Sequence, residues 1–184
     1  MNFDNFVNGK ELIKAAEKFA TKKHHGQTRK FTGKPYIIHP QQVSELVSNY
    51  GGSLDMIAAA WLHDVMEDCG VKFEKIKEKF GDKVAKLVKE LTIPPYADKS
   101  GKKSDYIAKE MEIMSSDGLT IKLCDRLSNV LNFEIAHPKF VLKYAPKTKF
   151  ILDSLEDSQR PLNAVQKKLV KEIRKKIEPY LEEE

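Results

Sequence analysis

The sequence predicts an all-α protein, a single helical bundle of about eight to nine helices. Three observations predict it. Apolar residues recur at three- and four-residue spacing through almost every stretch between the glycines and prolines. No stretch shows the sustained alternation of a half-buried strand, and Ile37-Ile38 is too short to make one. Neither a linker composition nor an internal repeat divides the chain, so residues 1–184 read as one domain with room for a substantial core.

Taken in order, Leu12, Ala15, Ala16, Phe19 and Ala20 predict a helix from Gly9 to about Lys23, stopped near Gly26. A polar loop, HHGQTRKFTGKPYIIHP, follows. Pro40 suits the first turn of the next helix, where its missing N–H has no partner to lose. That helix carries Val43, Leu46, Val47 and Tyr50 and ends at Gly51-Gly52. Ser53 or Leu54 opens a central helix through AAAWLHDVMED, Ala58 to Asp68. Helices over Phe73–Phe80 and Asp82–Leu91 are separated by Gly81, and residues 92–103 read as an exposed loop. Ser104–Ser115, Asp117–Phe133, Lys143–Asp157 and Leu162–Glu178 complete the set, with His137-Pro138 marking a break.

Composition limits the function classes. Charged residues make up 32% and the net charge is only +5, spread over lysine-rich helix faces, so solvated surface is favoured over nucleic-acid binding. No apolar run approaches the roughly 20 residues of a membrane span. Two cysteines without a CxxC support neither a disulfide framework nor a zinc ribbon. The first ten residues lack the basic and apolar regions of a signal peptide, which sets the expectation of a reducing cytoplasm.

Chemistry concentrates in the central helix. His63, Asp64, Glu67 and Asp68 are four ionisable groups in six residues beside an Ala/Trp/Leu run. Helical spacing puts His63 and Glu67 on one face and Asp64 and Asp68 on an adjoining one. Burying such groups is costly without a partner, and a divalent cation would be one. His39 in YIIHP reads alone either as a hydrogen-bonded core histidine or as a ligand. Asp125 in IKLCDRLSN reads either as the partner of Arg126, or of a lysine on another helix, or as a ligand. Together His39, His63, Asp64 and Asp125 offer two imidazoles and two carboxylates without thiolate, which suits Mn²⁺, Fe²⁺ or Mg²⁺ better than structural zinc. Arg29, Lys30, Thr32 and Lys34 put three cations and a hydroxyl in a glycine-containing loop just before His39, a grip for phosphates. His24, His25 and His137 read as structural or surface histidines, with His24 supporting the loop.

The order HHGQTRKFTGKPYIIHP, AAWLHDVMED, FGDKVAKLV, IKLCDRLSNV resembles the hydrolase domain of the RelA/SpoT proteins, over about residues 10–157. The C-terminal helix at 162–178 lies beyond it. These are HD-type phosphohydrolases acting on guanosine tetra- and pentaphosphate. The resemblance implies metal ligation by His39, His63, Asp64 and Asp125, usually to Mn²⁺. It implies that Glu67 and Asp68 orient or activate the attacking water. It also implies nucleotide or phosphate contacts from Arg29, Lys30, Thr32 and Asn129, and a pocket lined by Lys143 and Tyr144. Ser128, Asn132 and Cys69 stand where the family commonly has His, Thr and Thr.

The implied function is that of a small stand-alone hydrolase removing the 3′-pyrophosphate of guanosine polyphosphates, with no nucleic-acid or membrane partner. A cognate alarmone synthetase is a conceivable protein partner. Two alternatives stand beside it: the same chemistry on another phosphorylated nucleotide, such as the 2′-phosphate of NADPH, and a nucleotide-binding regulator without turnover.

Overall fold

A computed structural model describes residues 9–29, 32–95, 97 and 103–181. The chain separates into two compact units, residues 1–29 with 33–92, and residues 30–32 with 93–184. Among the described residues the regular structure is entirely helical. The one β-type pairing is an isolated antiparallel bridge between Thr28 and Pro35.

The first unit contains α1 (Gly9–Lys23), α2 (Ile38–Asn49), α3 (Leu54–Leu62), α4 (Val65–Cys69), α5 (Phe73–Phe80) and α6 (Asp82–Leu91). Helix α3 is its axis, packed against α1, α2 and α6. Every residue from Met56 to Leu62 is buried, as a helix apolar on all sides requires. The alanines at 58–60 meet helices that also present small residues, Ala16 and Ala20 among them, all fully buried. Ser53 starts α3 by accepting the Met56 amide at 3.3 Å. The reversal from α2 into α3 needs its two glycines. Gly51 has φ +76°, and a Cβ on Gly52 would lie 2.5 Å from Val47 Cγ1 and 2.8 Å from the Val47 carbonyl oxygen.

The central helix is not continuous. It ends at Leu62, turns through His63-Asp64 and restarts as α4. The cause is local. His63 Nδ1 hydrogen-bonds the Ala60 carbonyl at 2.8 Å and so competes with the backbone for that acceptor. Counting α3 and α4 as one interrupted helix gives nine α-helices among the described residues, in keeping with the expected number.

The second unit contains α7 (Lys103–Ile113), α8 (Ser116–Val130), a 3₁₀ turn (Phe133–Ile135), α9 (Pro138–Asp157), α10 (Ala164–Ile177) and a 3₁₀ turn (Glu178–Tyr180). Helix α9 packs on α7 and α10, and α8 packs on α10. Ser115 caps α8 by accepting the Gly118 amide at 3.0 Å. Asn163 and Gln166 form a reciprocal capping box on α10. Two boundaries differ from the sequence expectation. His137-Pro138 is the start of α9 rather than a break: the His137 ring accepts the Lys139 amide at 3.2 Å, and Pro138 occupies a first-turn position that needs no N–H. Helix α8 ends at Val130, and Phe133 belongs to the short 3₁₀ turn after it. Ala97, within the stretch read as an exposed loop, is buried. No described helix is long and apolar enough to cross a membrane.

Candidate metal centre

In the first unit the α2 entry and the α3–α4 break bring His39, His63 and Asp64 together. His39 is 4% exposed and His63 2%. Their ring centroids are 5.2 Å apart at 73°. Asp64 Oδ2 lies 2.9 Å from His63 Nε2 and 4.0 Å from His39 Nε2. Ile38 does not turn inward with His39, since it is 41% exposed. It is the helical turn that buries the histidine.

The hydrogen bonding fits this cluster for a cation. The Ala60 carbonyl can only accept, so His63 Nδ1 carries a proton and a neutral His63 points its Nε2 lone pair at the Asp64 carboxylate. Two electron pairs 2.9 Å apart repel unless a positive charge sits with them. An outer hydrogen bond that fixes the tautomer in this way is typical of metal-ligating histidines. Burial pushes the Cys124 thiol up to about 12. Burial and the Asp68 charge raise that of Cys69, against a partly opposing Gln27 amide, and the Cys69 thiol donates to the Lys23 carbonyl at 3.4 Å.

The loop before α2 is built around His24, which is 2% exposed. His24 Nδ1 hydrogen-bonds Gln27 Oε1 at 2.7 Å, in the loop-supporting part the sequence suggests for it. The Tyr36 amide donates to the Gln27 carbonyl, the Arg29 amide to Lys34 and the Gly33 amide to Arg29, each at 2.9 Å. Arg29 is half-buried, and Thr32 and Lys34 are exposed. Lys30 lies outside the described residues.

Tyr36 has no counterpart among the residues singled out from sequence. Its hydroxyl donates to Asp64 Oδ2 at 2.6 Å. Asp68, one turn after Asp64, interacts electrostatically with Asp64, His24 and His63. Partial burial first, then the Asp64 charge, raise its carboxyl above the usual range, while Tyr36, His24 and His63 pull it down. Glu67 and Asp68 are both exposed residues of α4. The continuous helical face expected to carry His63 and Glu67 is thus interrupted by the turn at His63-Asp64.

In the second unit Asp125 lies on α8 and is 8% exposed. It does not pair with Arg126. Lys122, from the same helix, approaches Asp125 Oδ2 at 3.1 Å. Asn129 donates to Asp125 Oδ1 at 3.0 Å and to its carbonyl at 3.1 Å. Arg126 turns away, donating from Nη1 to Thr148 Oγ1 at 3.0 Å and lying 5.4 Å from the Tyr144 ring centroid. Tyr144 also packs against Phe133 and Phe140. Burial raises its phenol, partly offset by Arg126. Lys143 is exposed. Lys122 was not singled out from sequence. Its place one helical turn before Asp125 is the signal that could have found it.

An HD-domain family model matches residues 16–155, and the chain belongs to the HD-domain family. Within that class its similarities have a narrower focus. Human guanosine-3′,5′-bis(diphosphate) 3′-pyrophosphohydrolase MESH1 is 31% identical over 171 residues, 88% of this chain and 94% of the human protein. The Xenopus tropicalis MESH1 is 37% identical over 70% of this chain and 73% of its own length. A guanosine-3′,5′-bis(diphosphate) 3′-pyrophosphohydrolase of Aquifex aeolicus is 38% identical over 142 residues, and there the chain spans about a fifth of the relative's length, 20%. Among solved structures, a metazoan orthologue of SpoT that hydrolyses ppGpp superposes with a TM-score of 0.77 at 25% identity, covering 92% of this chain and 97% of that one.

Proposed function

We propose that the protein is a metal-dependent guanosine 3′,5′-bis(diphosphate) 3′-pyrophosphohydrolase, with residues 1–184 acting as one HD-type domain in the cytoplasm. The observation that supports this most directly is the buried His39–His63–Asp64 cluster, in a chain matching 94% of a MESH1 protein of that name. In this reading Mn²⁺ is the ion, and Asp125 completes the ligand set.

A divalent ion so bound supplies Lewis acidity toward a phosphate oxygen and lowers the pKa of a coordinated water. The rest falls to side chains of the chain. Asp68, which interacts with Asp64, Tyr36 and His63, accepts the proton of the attacking water, and Glu67 assists in its orientation. Arg29, Lys30, Thr32 and Lys34 hold the polyphosphate and offset the charge that develops as the 3′-ester bond breaks. Asn129, Lys143 and Tyr144 contact the nucleoside end. The products are GDP or GTP and pyrophosphate.

The test is product identification with ppGpp, pppGpp and NADPH as substrates, with and without Mn²⁺. Pyrophosphate release from the guanosine polyphosphates that stops on chelation is the expected result. Asp64→Ala is expected to abolish turnover and reduce bound metal while the helical content stays. Turnover undiminished by exhaustive chelation overturns the reading.

A further inference from the structure

We infer that Tyr36 is a positioning residue for the metal centre, holding the Asp64 carboxylate in ligating orientation through its hydroxyl. The inference rests on the metal reading above and assigns a residue that reading does not use.

The hydroxyl donates to Asp64 Oδ2 at 2.6 Å, and the Asp68 carboxylate lies within its hydrogen-bonding reach. Asp64 sits in the turn between α3 and α4, with no side-chain cap bond of its own to the α4 backbone. The Tyr36 hydroxyl gives this carboxylate a donor from outside α3 and α4.

Tyr36 is itself held in place. Its ring lies 4.9 Å from that of buried His24, tilted by 33°. Its amide is bonded to the Gln27 carbonyl, and the Gln27 side chain holds His24 Nδ1 at 2.7 Å. His24 Nε2 is buried with no hydrogen-bond partner among the described residues, so the imidazole serves here as a wall for the phenol. The α2 entry adds a second restraint, since the His39 amide donates to the Tyr36 carbonyl at 2.9 Å. One short segment thus ties the donor to Asp64 and the backbone of His39 together. A charge-assisted O–H···O⁻ bond is among the stronger neutral-donor contacts a protein can make, and it leaves the carboxylate's other lone pairs available.

Tyr36→Phe removes the hydroxyl and keeps the ring against His24. The measurement is Mn²⁺ binding, read from the electron paramagnetic resonance signal of the free ion and independent of turnover. The expected result is a weakening of about tenfold to a hundredfold, the usual effect of losing an outer-shell partner, with helical content unchanged. Equal affinity in Tyr36→Phe and wild type overturns the inference while leaving the metal reading intact. No Mn²⁺ binding by the wild type overturns the metal reading and this inference with it. A second measurement needs no metal: urea unfolding of Tyr36→Phe, Asp64→Asn and the double variant. Non-additive effects are expected from a direct bond, and strict additivity refutes it.

Discussion

Lys122 offers the sharpest test of the setting of Asp125 in the second unit. Its ammonium lies 3.1 Å from Asp125 Oδ2, with the two side chains 7% and 11% exposed. Lys122→Met keeps the aliphatic stem and its packing but strands a carboxylate with little water around it. Removing one member of a buried ion pair costs roughly 3–5 kcal/mol. Here Asn129 still donates to Asp125 Oδ1, so the lower end applies, about 3 kcal/mol. For a chain of 184 residues that corresponds to a melting temperature lower by roughly 6–12 °C in metal-free buffer. If Asp125 is a ligand, a divalent ion restores the missing positive charge. Mn²⁺ at a hundred times its dissociation constant stabilises a binding protein by about 2.7 kcal/mol, and the variant should gain more than the wild type at equal ion concentration. The assay is calorimetric or fluorescence melting of both proteins with chelator and with Mn²⁺. A metal-free melting temperature within about 1 °C of wild type refutes the burial argument. An equal Mn²⁺ shift in both proteins refutes the assignment of Asp125 to the ion.

Three further outcomes follow from the first unit. The raised pKa of Asp68 means that folding favours its neutral form. Its contribution to stability is full at low pH and is lost as pH rises through the folded value. Asp68→Asn is therefore expected to raise the metal-free melting temperature at pH 7, with a gain that narrows toward the ordinary carboxylate range near pH 4, as a pH series of melts would show. The same variant is expected to lower kcat by on the order of 10² to 10⁴, and Glu67→Gln similarly if the two carboxylates act as a unit; steady-state kinetics with metal content measured alongside separates lost chemistry from lost metal. Arg29→Ala is expected to raise KM more than it lowers kcat, and unchanged kinetics would remove the loop from the phosphate site.

Much of this was legible in the sequence, and the rest was hidden for identifiable reasons. Periodicity locates α1, α5 and α6 closely, because each keeps one apolar face between clear stop residues. It does not see the break at His63-Asp64, since hydrophobic spacing reports which side is buried and carries no record of a side chain competing for the Ala60 carbonyl. Proline misled in one place. Pro138 looks like punctuation but is the first residue of α9, and Pro146 lies inside that helix on its exposed side. His39, His63 and Asp64 were recognisable by residue type and setting. Tyr36 was not, because a tyrosine in a loop has no signature until its hydroxyl is seen against Asp64. Asp125 stood out by its register, and of the partners left open for it the adjacent Arg126 points elsewhere, while Lys122, one turn away on the same helix, reaches it.

The family match stops at residue 155, yet α10 begins at Ala164. From there Gln166 reaches across to the Ser116 carbonyl at 3.0 Å and to Thr120 Oγ1 at 3.2 Å, clasping the opening turns of the helix that bears Asp125. Leu169, Val170, Ile173 and Ile177 close the same seam with buried side chains. The stretch that makes a chain recognisable as kin and the stretch that keeps one of its candidate ligands in register are thus different lengths of polypeptide. A chain trimmed to its recognisable part would keep the motif residues and lose the clasp that holds the Asp125 helix.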